Sequence, residues 1–171
     1  MREGGTKRLL ESEIKSLVLS HLICKGILTP ADTILNEFTV DNSSRRVDLA
    51  IAKGCELWAF EIKSEADSLV RLQGQVDIYS KYFDKVFVIV AKKHTASALE
   101  LISKNTALWE IKESRIIVKQ KGRKKLIRNP HSFINMMNVT DLIKLANANG
   151  LKSKSKRRED LEVILESANH D

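Results

Sequence analysis

Residues 46–63 read Arg-Val-Asp-Leu-Ala-Ile-Ala-Lys-Gly-Cys-Glu-Leu-Trp-Ala-Phe-Glu-Ile-Lys, and the alternation in this stretch decides the fold. Side chains on a strand point to opposite faces in turn. Val47, Leu49 and Ile51 therefore share one face of a first strand, and Trp58, Phe60 and Ile62 share one face of a second. Gly54 supplies the turn between them. The other face carries Asp48 on one strand and Glu61 with Lys63 on the next. A hairpin folded through Gly54 brings Asp48 opposite Glu61.

Two carboxylates a few Å apart with a lysine beside them make a poor core and a good divalent-cation site. Mg²⁺ or Mn²⁺ takes oxygen ligands, keeps several waters and completes its shell with phosphate oxygens. The lysine can then position or deprotonate an attacking water and offset charge on the phosphorane. Glu-x-Lys alone discriminates nothing, because Glu13-Ile14-Lys15 and Glu110-Ile111-Lys112 match equally well. The first lies on a predicted helix, where positions i and i+2 diverge. The last is strand-like, but no Asp precedes it on an adjoining hairpin strand. Context selects Glu61 and Lys63.

Outward from this hairpin the elements follow a consistent order. Leu9–Leu22 has helical spacing and ends near Gly26, which can take a left-handed C-cap. Ile34–Val40, Arg46–Ala52 and Glu56–Lys63 are expected to form an antiparallel meander. Asp67–Tyr82 is predicted as a helix capped by Asp67 or Ser68. Val86–Val90 is short and continuously β-branched or aromatic, the pattern of a strand buried on both faces. His94–Asn105 is a second crossover helix, and Ala107–Ile111 and Arg115–Lys119 close the sheet. Beyond residue 120 no strand-like run occurs, and His131–Met137, Val139–Asn149 and Glu159–Ala168 are expected helices. The expectation is an α/β domain with a mixed sheet flanked by helices over residues 1–120. A basic linker over 121–130 and a small C-terminal helical appendage over 131–171 follow it.

The whole chain, at 171 residues, 43% hydrophobic, with seven Gly and two Pro, excludes disordered and collagen-like classes. Cys24 and Cys55 stand alone in apolar surroundings, so neither a disulfide framework nor a thiolate zinc site is expected. No apolar run is long enough for a membrane span and no signal-peptide core is visible, which predicts a soluble cytoplasmic protein without a membrane partner. The net charge of +7 is unevenly spread. Residues 1–120 balance at +2, residues 121–158 carry 11 bases against one acid, and the last 13 residues carry five acids and no base. The basic segment is a footprint for a polyanion or a solvated helix face with a charged loop.

The element order and the triplet Asp48, Glu61 and Lys63 resemble the PD-(D/E)xK nuclease superfamily, whose fold is restriction-endonuclease-like. The resemblance covers roughly residues 7–120, with Val47 standing where the family places Pro. Gln75-Val76-Asp77-Ile78-Tyr79 looks like the Gln-xxx-Tyr element of the RecB-like and exonuclease branches. Gln75 and Tyr79 sit one helical turn apart and share a face; in those relatives the pair contacts nucleic acid. The resemblance implies a metal-dependent nuclease acting on DNA, with Asp48, Glu61 and the main-chain carbonyl of Ile62 as ligands. Repair, recombination, phage DNA processing and defence stay open. Glu13 lies inside the apolar arc of the first helix, where an unpaired carboxylate is costly, and looks like the extra metal-side Glu of related exonucleases. A surface-edge Glu is the alternative.

The tail, Val139–Ala146, Gly150-Leu151, a Lys/Ser linker and Lys156–Leu165, resembles SAP-type DNA-binding motifs. Lys154, Lys156 and Arg157 would then neutralise phosphates without reading bases. A helical hairpin that caps the sheet or mediates dimerisation is the alternative. Arg46 is a candidate phosphate clamp or a surface pair. His21, His94, His131 and His170 have no metal-site spacing, and His94 is read as a helix N-terminal residue or a phosphate contact. Trp58 and Trp109 are read as packing residues. RNA as substrate uses the same residues, and a non-catalytic nucleic-acid-binding or assembly protein on the same fold is the rival reading, with a homo-oligomer or protein partner open.

Overall fold

The structure is a computed structural model, and it describes residues 9–40, 44–151 and 156–168. Its first elements are α1 (Glu11–Cys24), β1 (Thr33–Val40), β2 (Arg45–Lys53), β3 (Glu56–Lys63) and α2 (Leu72–Tyr79). β4 (Lys85–Ala91), a 3-10 turn (Lys92–His94), α3 (Thr95–Leu101), β5 (Ala107–Lys112) and β6 (Arg115–Gln120) complete the sheet region. The helices α4 (Pro130–Met136), α5 (Val139–Ala148) and α6 (Arg158–Ser167) follow. This is the expected α/β class: one six-stranded mixed sheet in the order β1-β2-β3-β4-β5-β6, with helices around it.

β2 and β3 run antiparallel, with Leu49 opposite Phe60, Ile51 opposite Trp58 and Lys53 opposite Glu56. Gly54 has φ +57° at the first position of their two-residue turn, the conformation a type II′ hairpin requires. β3 to β4 and β4 to β5 are parallel steps, and β6 returns antiparallel to β5. The parallel steps need crossovers, which α2 and α3 supply. On the α1 side, Ile14, Val18 and Leu22 pack against Leu49, Ile51, Phe60, Ile62, Phe87, Ile89 and Trp109. Phe60 and Phe87 stack with centroids 4.4 Å apart, and Trp109 meets Phe87 edge-on at 4.9 Å. Both tryptophans are packing residues, as expected. This aromatic layer fixes the register of β3 and so points Glu61 and Lys63 to the other face.

Contacts divide the chain into two compact units. One comprises the described residues within 1–38 and 47–126, the other those within 39–46 and 127–171. The first unit therefore extends six residues past 120, and the end of β1 and the start of β2 group with the C-terminal helices. The second unit has its own core of Ile134, Leu142, Ala146, Leu161 and Leu165.

Three boundaries differ from expectation. α1 starts at Glu11, two residues later than predicted, and ends at Cys24 with Lys25 as its C-cap, next to the Gly26 that marked its end. α2 begins at Leu72, not Asp67, because local side-chain bonds compete with helix formation. Asp67 Oδ2 accepts from Ser64 N at 2.7 Å and Ser64 Oγ at 2.6 Å, and Val70 N donates to Ser68 Oγ at 3.2 Å. The second crossover opens as a 3-10 turn and its α-helix spans only Thr95–Leu101. Cys24 and Cys55 are free thiols and are exposed, not set in apolar surroundings. Among the described residues no helix is long and apolar enough to cross a membrane.

Candidate metal centre

The carboxyl ends of β2's partner strand and of β4 place the candidate residues. Beyond the Leu49–Phe60 pair the next residues are Asp48 and Glu61, and Ile62 N donates to Asp48 Oδ2 at 2.7 Å. Glu61 is 2% exposed. Its Oε1 accepts from Lys63 Nζ at 2.7 Å and Gln75 Nε2 at 2.6 Å, and its Oε2 accepts from Tyr79 OH at 3.0 Å. One buried carboxylate is thus clasped by three donors, two of them from a single turn of α2. Sequence spacing put Gln75 and Tyr79 on one face, and that face meets Glu61.

The electrostatics follow from burial. Burial first, and then the charge of Glu61, push the Asp48 carboxyl up to about 7, against the lowering effect of its bond to Ile62 N. Burial and the Glu61 charge also hold the Tyr79 hydroxyl above its usual range, so it stays a proton donor. Gln75 Oε1 is buried and has no hydrogen-bond partner. That one unpartnered acceptor is what a water of a divalent cation's shell would satisfy.

Asp48, Glu61, Ile62, Lys63, Gln75 and Tyr79 are brought together; Glu13 is not. Glu13 Oε2 accepts from Leu10 N at 2.8 Å, closing the first turn of α1. No three His, Cys, Asp or Glu side chains among the described residues converge, so Glu13 does not join Asp48 and Glu61. The acid of α1 that acts on Asp48 is Glu11, whose charge helps raise it. Glu11 pairs with Lys15 at 2.7 Å, and Lys15 Nζ donates to Asn36 Oδ1 at 2.9 Å. Ile62 packs its side chain in the core, while its main chain lies between Glu61 and Lys63 with its N–H on Asp48. Arg46 is exposed at the start of β2, in the second unit. Lys156 and Arg157 are exposed just before α6, in that same unit, and Lys154 lies outside the described residues.

Two features escaped the sequence reading. His94 Nε2 donates to the Ser64 carbonyl at 3.1 Å, tying the turn after β4 to the residue after Lys63. Partial burial pushes the Asp67 carboxyl up, yet the Ser64 hydroxyl and N–H outweigh it and hold Asp67 below its usual range. Glu110 is 4% exposed and accepts from Thr95 Oγ1 at 2.7 Å, with Lys119 Nζ at 3.3 Å. Val90 pairs with both Lys63 and Glu110, which puts Glu110 on the Lys63 face two strands away. The repeated Glu-x-Lys pattern was the available signal for it.

A family model described as bacteriophage P4 protein cII matches residues 5–171. Protein cII of Enterobacteria phage P4 is 38% identical over 161 residues, which is 91% of this chain and 60% of that protein. The chain thus spans less than two thirds of its relative's length. A solved protein of unknown function from Silicibacter pomeroyi superposes with a TM-score of 0.52 at 19% identity, over 91% of this chain and 100% of that one. That likeness is one of fold. With the family model matching from residue 5 to the last residue, this chain belongs to the bacteriophage P4 protein cII family.

Proposed function

We propose that this chain is a metal-dependent nuclease that hydrolyses DNA phosphodiester bonds. The carrying observation is the buried Glu61 carboxylate beside Asp48, with Lys63 Nζ 2.7 Å from it. The donor set fits a hard cation such as Mg²⁺ or Mn²⁺: Asp48 and Glu61 would hold it, with the Ile62 carbonyl alongside, and the unpartnered Gln75 Oε1 would accept from its hydration shell. Such a cation, when bound, supplies Lewis-acid polarisation of the phosphoryl group.

The protein's own residues do the rest. Tyr79 and Gln75 fix the rotamer of Glu61 and so the distance between the two acids. Lys63, buried beside Glu61, is placed to orient the attacking water and to neutralise charge that develops on the phosphate. The exposed cations Lys156 and Arg157 would add affinity that falls with salt. The observation that favours the rival, non-catalytic reading is the completeness of the Glu61 clasp. Three donors satisfy Glu61 without any cation, so the fold is self-consistent as a binding module.

End-labelled single-stranded, duplex, flap and circular DNA, each with Mg²⁺ and with Mn²⁺, distinguish the two. Cleavage that needs the cation is expected, abolished in Glu61→Ala. Lys63→Ala is expected to cut turnover by about 100-fold or more while DNA binding and melting temperature stay close to wild type. Normal turnover in Lys63→Ala would sink the mechanism. Salt-sensitive binding without cleavage of any substrate would favour the binding module.

A further inference from the structure

A cavity of about 460 Å³ opens at the other end of the sheet, where β4 and β5 begin. Lys85, at its edge, lies five residues along β4 from Val90, the partner of Lys63, a separation of roughly 17 Å at strand rise. One wall of the cavity comes from Arg123, Lys124 and Lys125, in a segment the sequence pattern marked as linker. Arg123 N donates to Asn105 O at 2.8 Å and Lys125 N donates to Asp84 O at 2.8 Å, so the segment is stitched across the starts of both strands. Gly122 makes this possible. It has φ +64°, and a Cβ there would stand 2.5 Å from Ala107 N.

Bonding of alternate N–H groups means that alternate side chains diverge. Lys124 and Lys85 also line the cavity, but Lys124 is paired with Glu56, 2.7 Å away, and the Lys85 ammonium lies 4.9 Å from the Phe87 ring centre. Among the described residues no acid pairs with Arg123 or Lys125, and both line the cavity. Asp77 and Ser80 at the end of α2, Asn105 before β5 and the buried ring of Phe83 also line it. Asp84 lines it too, with its Oδ2 already accepting Leu57 N at 2.7 Å.

A bare anion is a poor occupant, because the Asp77 carboxylate repels it. A bare cation meets Arg123 and Lys125. An occupant that is anionic at one end and rich in hydroxyl or amino donors at the other satisfies both. We infer that this cavity binds a nucleoside monophosphate, its phosphate on Arg123 and Lys125 and its sugar or base donors on Asp77 and Asn105. Guanidinium and ammonium groups bind phosphate by charge-assisted bonds, carboxylates accept ribose hydroxyls, and the volume is that of a small-molecule site. The inference stands independently of the nuclease reading, since no residue is shared.

Calorimetric titration of the full chain in EDTA tests it, with AMP, dAMP, UMP, adenosine, inorganic phosphate and a short single-stranded DNA as probes. A nucleoside monophosphate is expected to saturate one site. Adenosine and inorganic phosphate are expected to bind about tenfold more weakly or worse, each lacking one half of the contacts. Arg123→Ala with Lys125→Ala is expected to weaken nucleotide binding about tenfold or more at unchanged melting temperature. Asn105→Ala provides a second, separate loss. Inorganic phosphate binding as tightly as AMP overturns the inference, as does wild-type affinity in the double variant. Saturable binding confined to the DNA strand, or to nothing, overturns it equally. DNA cleavage assayed on the same double variant keeps the two questions apart, because its retention alongside lost AMP binding places them at different sites.

Discussion

Asp48 enters the folded protein with its carboxyl raised to about 7, first by burial and then by the Glu61 charge. The unfolded chain releases that proton near pH 4, so between about 4 and 7 the folded state binds more protons than the unfolded one. Stability is therefore expected to be greatest below pH 4 with respect to this group. It falls as pH rises to about 7, by at most about 4 kcal/mol shared across the pair, and is flat above. Urea unfolding at pH 5 and pH 8 should show the loss in the wild-type chain and a much smaller one in Asp48→Asn; an equal loss in the variant would assign the effect elsewhere. On the proposed nuclease reading, Mg²⁺ would compete with the same proton, and its affinity should climb with pH up to about 7 and no further. Which acids pair was legible from the sequence, because strand alternation fixes faces. Which Glu of α1 acts on Asp48 was not. Glu11 and Glu13 are two residues apart on a wheel whose start depends on a helix boundary, and that boundary moved by two residues.

The elements were readable where burial dictates pattern and unreadable where polar side chains bond to their own backbone. β3 was placed at its observed limits, since its apolar face and the Gly54 turn leave no other register. α2 was started five residues too early because Ser64, Asp67 and Ser68 divert the local N–H groups into turns, chemistry that helical spacing does not register. The segment after β6 was misread for a related reason: backbone bonds, invisible in side-chain pattern, hold Arg123 and Lys125 on the body. Gly122→Ala tests how much that stitching matters. With φ +64° and a Cβ forced to 2.5 Å from Ala107 N, the variant should lose about 2 kcal/mol or more in chemical denaturation. A neutral result would mean that residues 121–126 can lift from the strand ends at little cost.

At the scale of the molecule, two cores coexist in one chain, and the sequence announced both through the loss of strand-like runs beyond residue 120. What it could not announce is that the end of β1 and the start of β2 group with the helices by contact. Leu161 is 1% exposed in the helical core. Leu161→Ala should destabilise that unit by about 2–4 kcal/mol. Hydrogen exchange should then show lost protection in α4, α5 and α6 with β3 and β4 unchanged; uniform loss would make the chain one cooperative body. The aromatic layer behind the candidate centre has one more consequence. Trp58 and Trp109 are the chain's two tryptophans, and they lie on the reverse side of the strands that carry Glu61 and its neighbours, in contact through Phe87. The protein thus carries its own fluorophores one strand-thickness from its acids, and their emission offers a dye-free optical signal of anything that shifts β3.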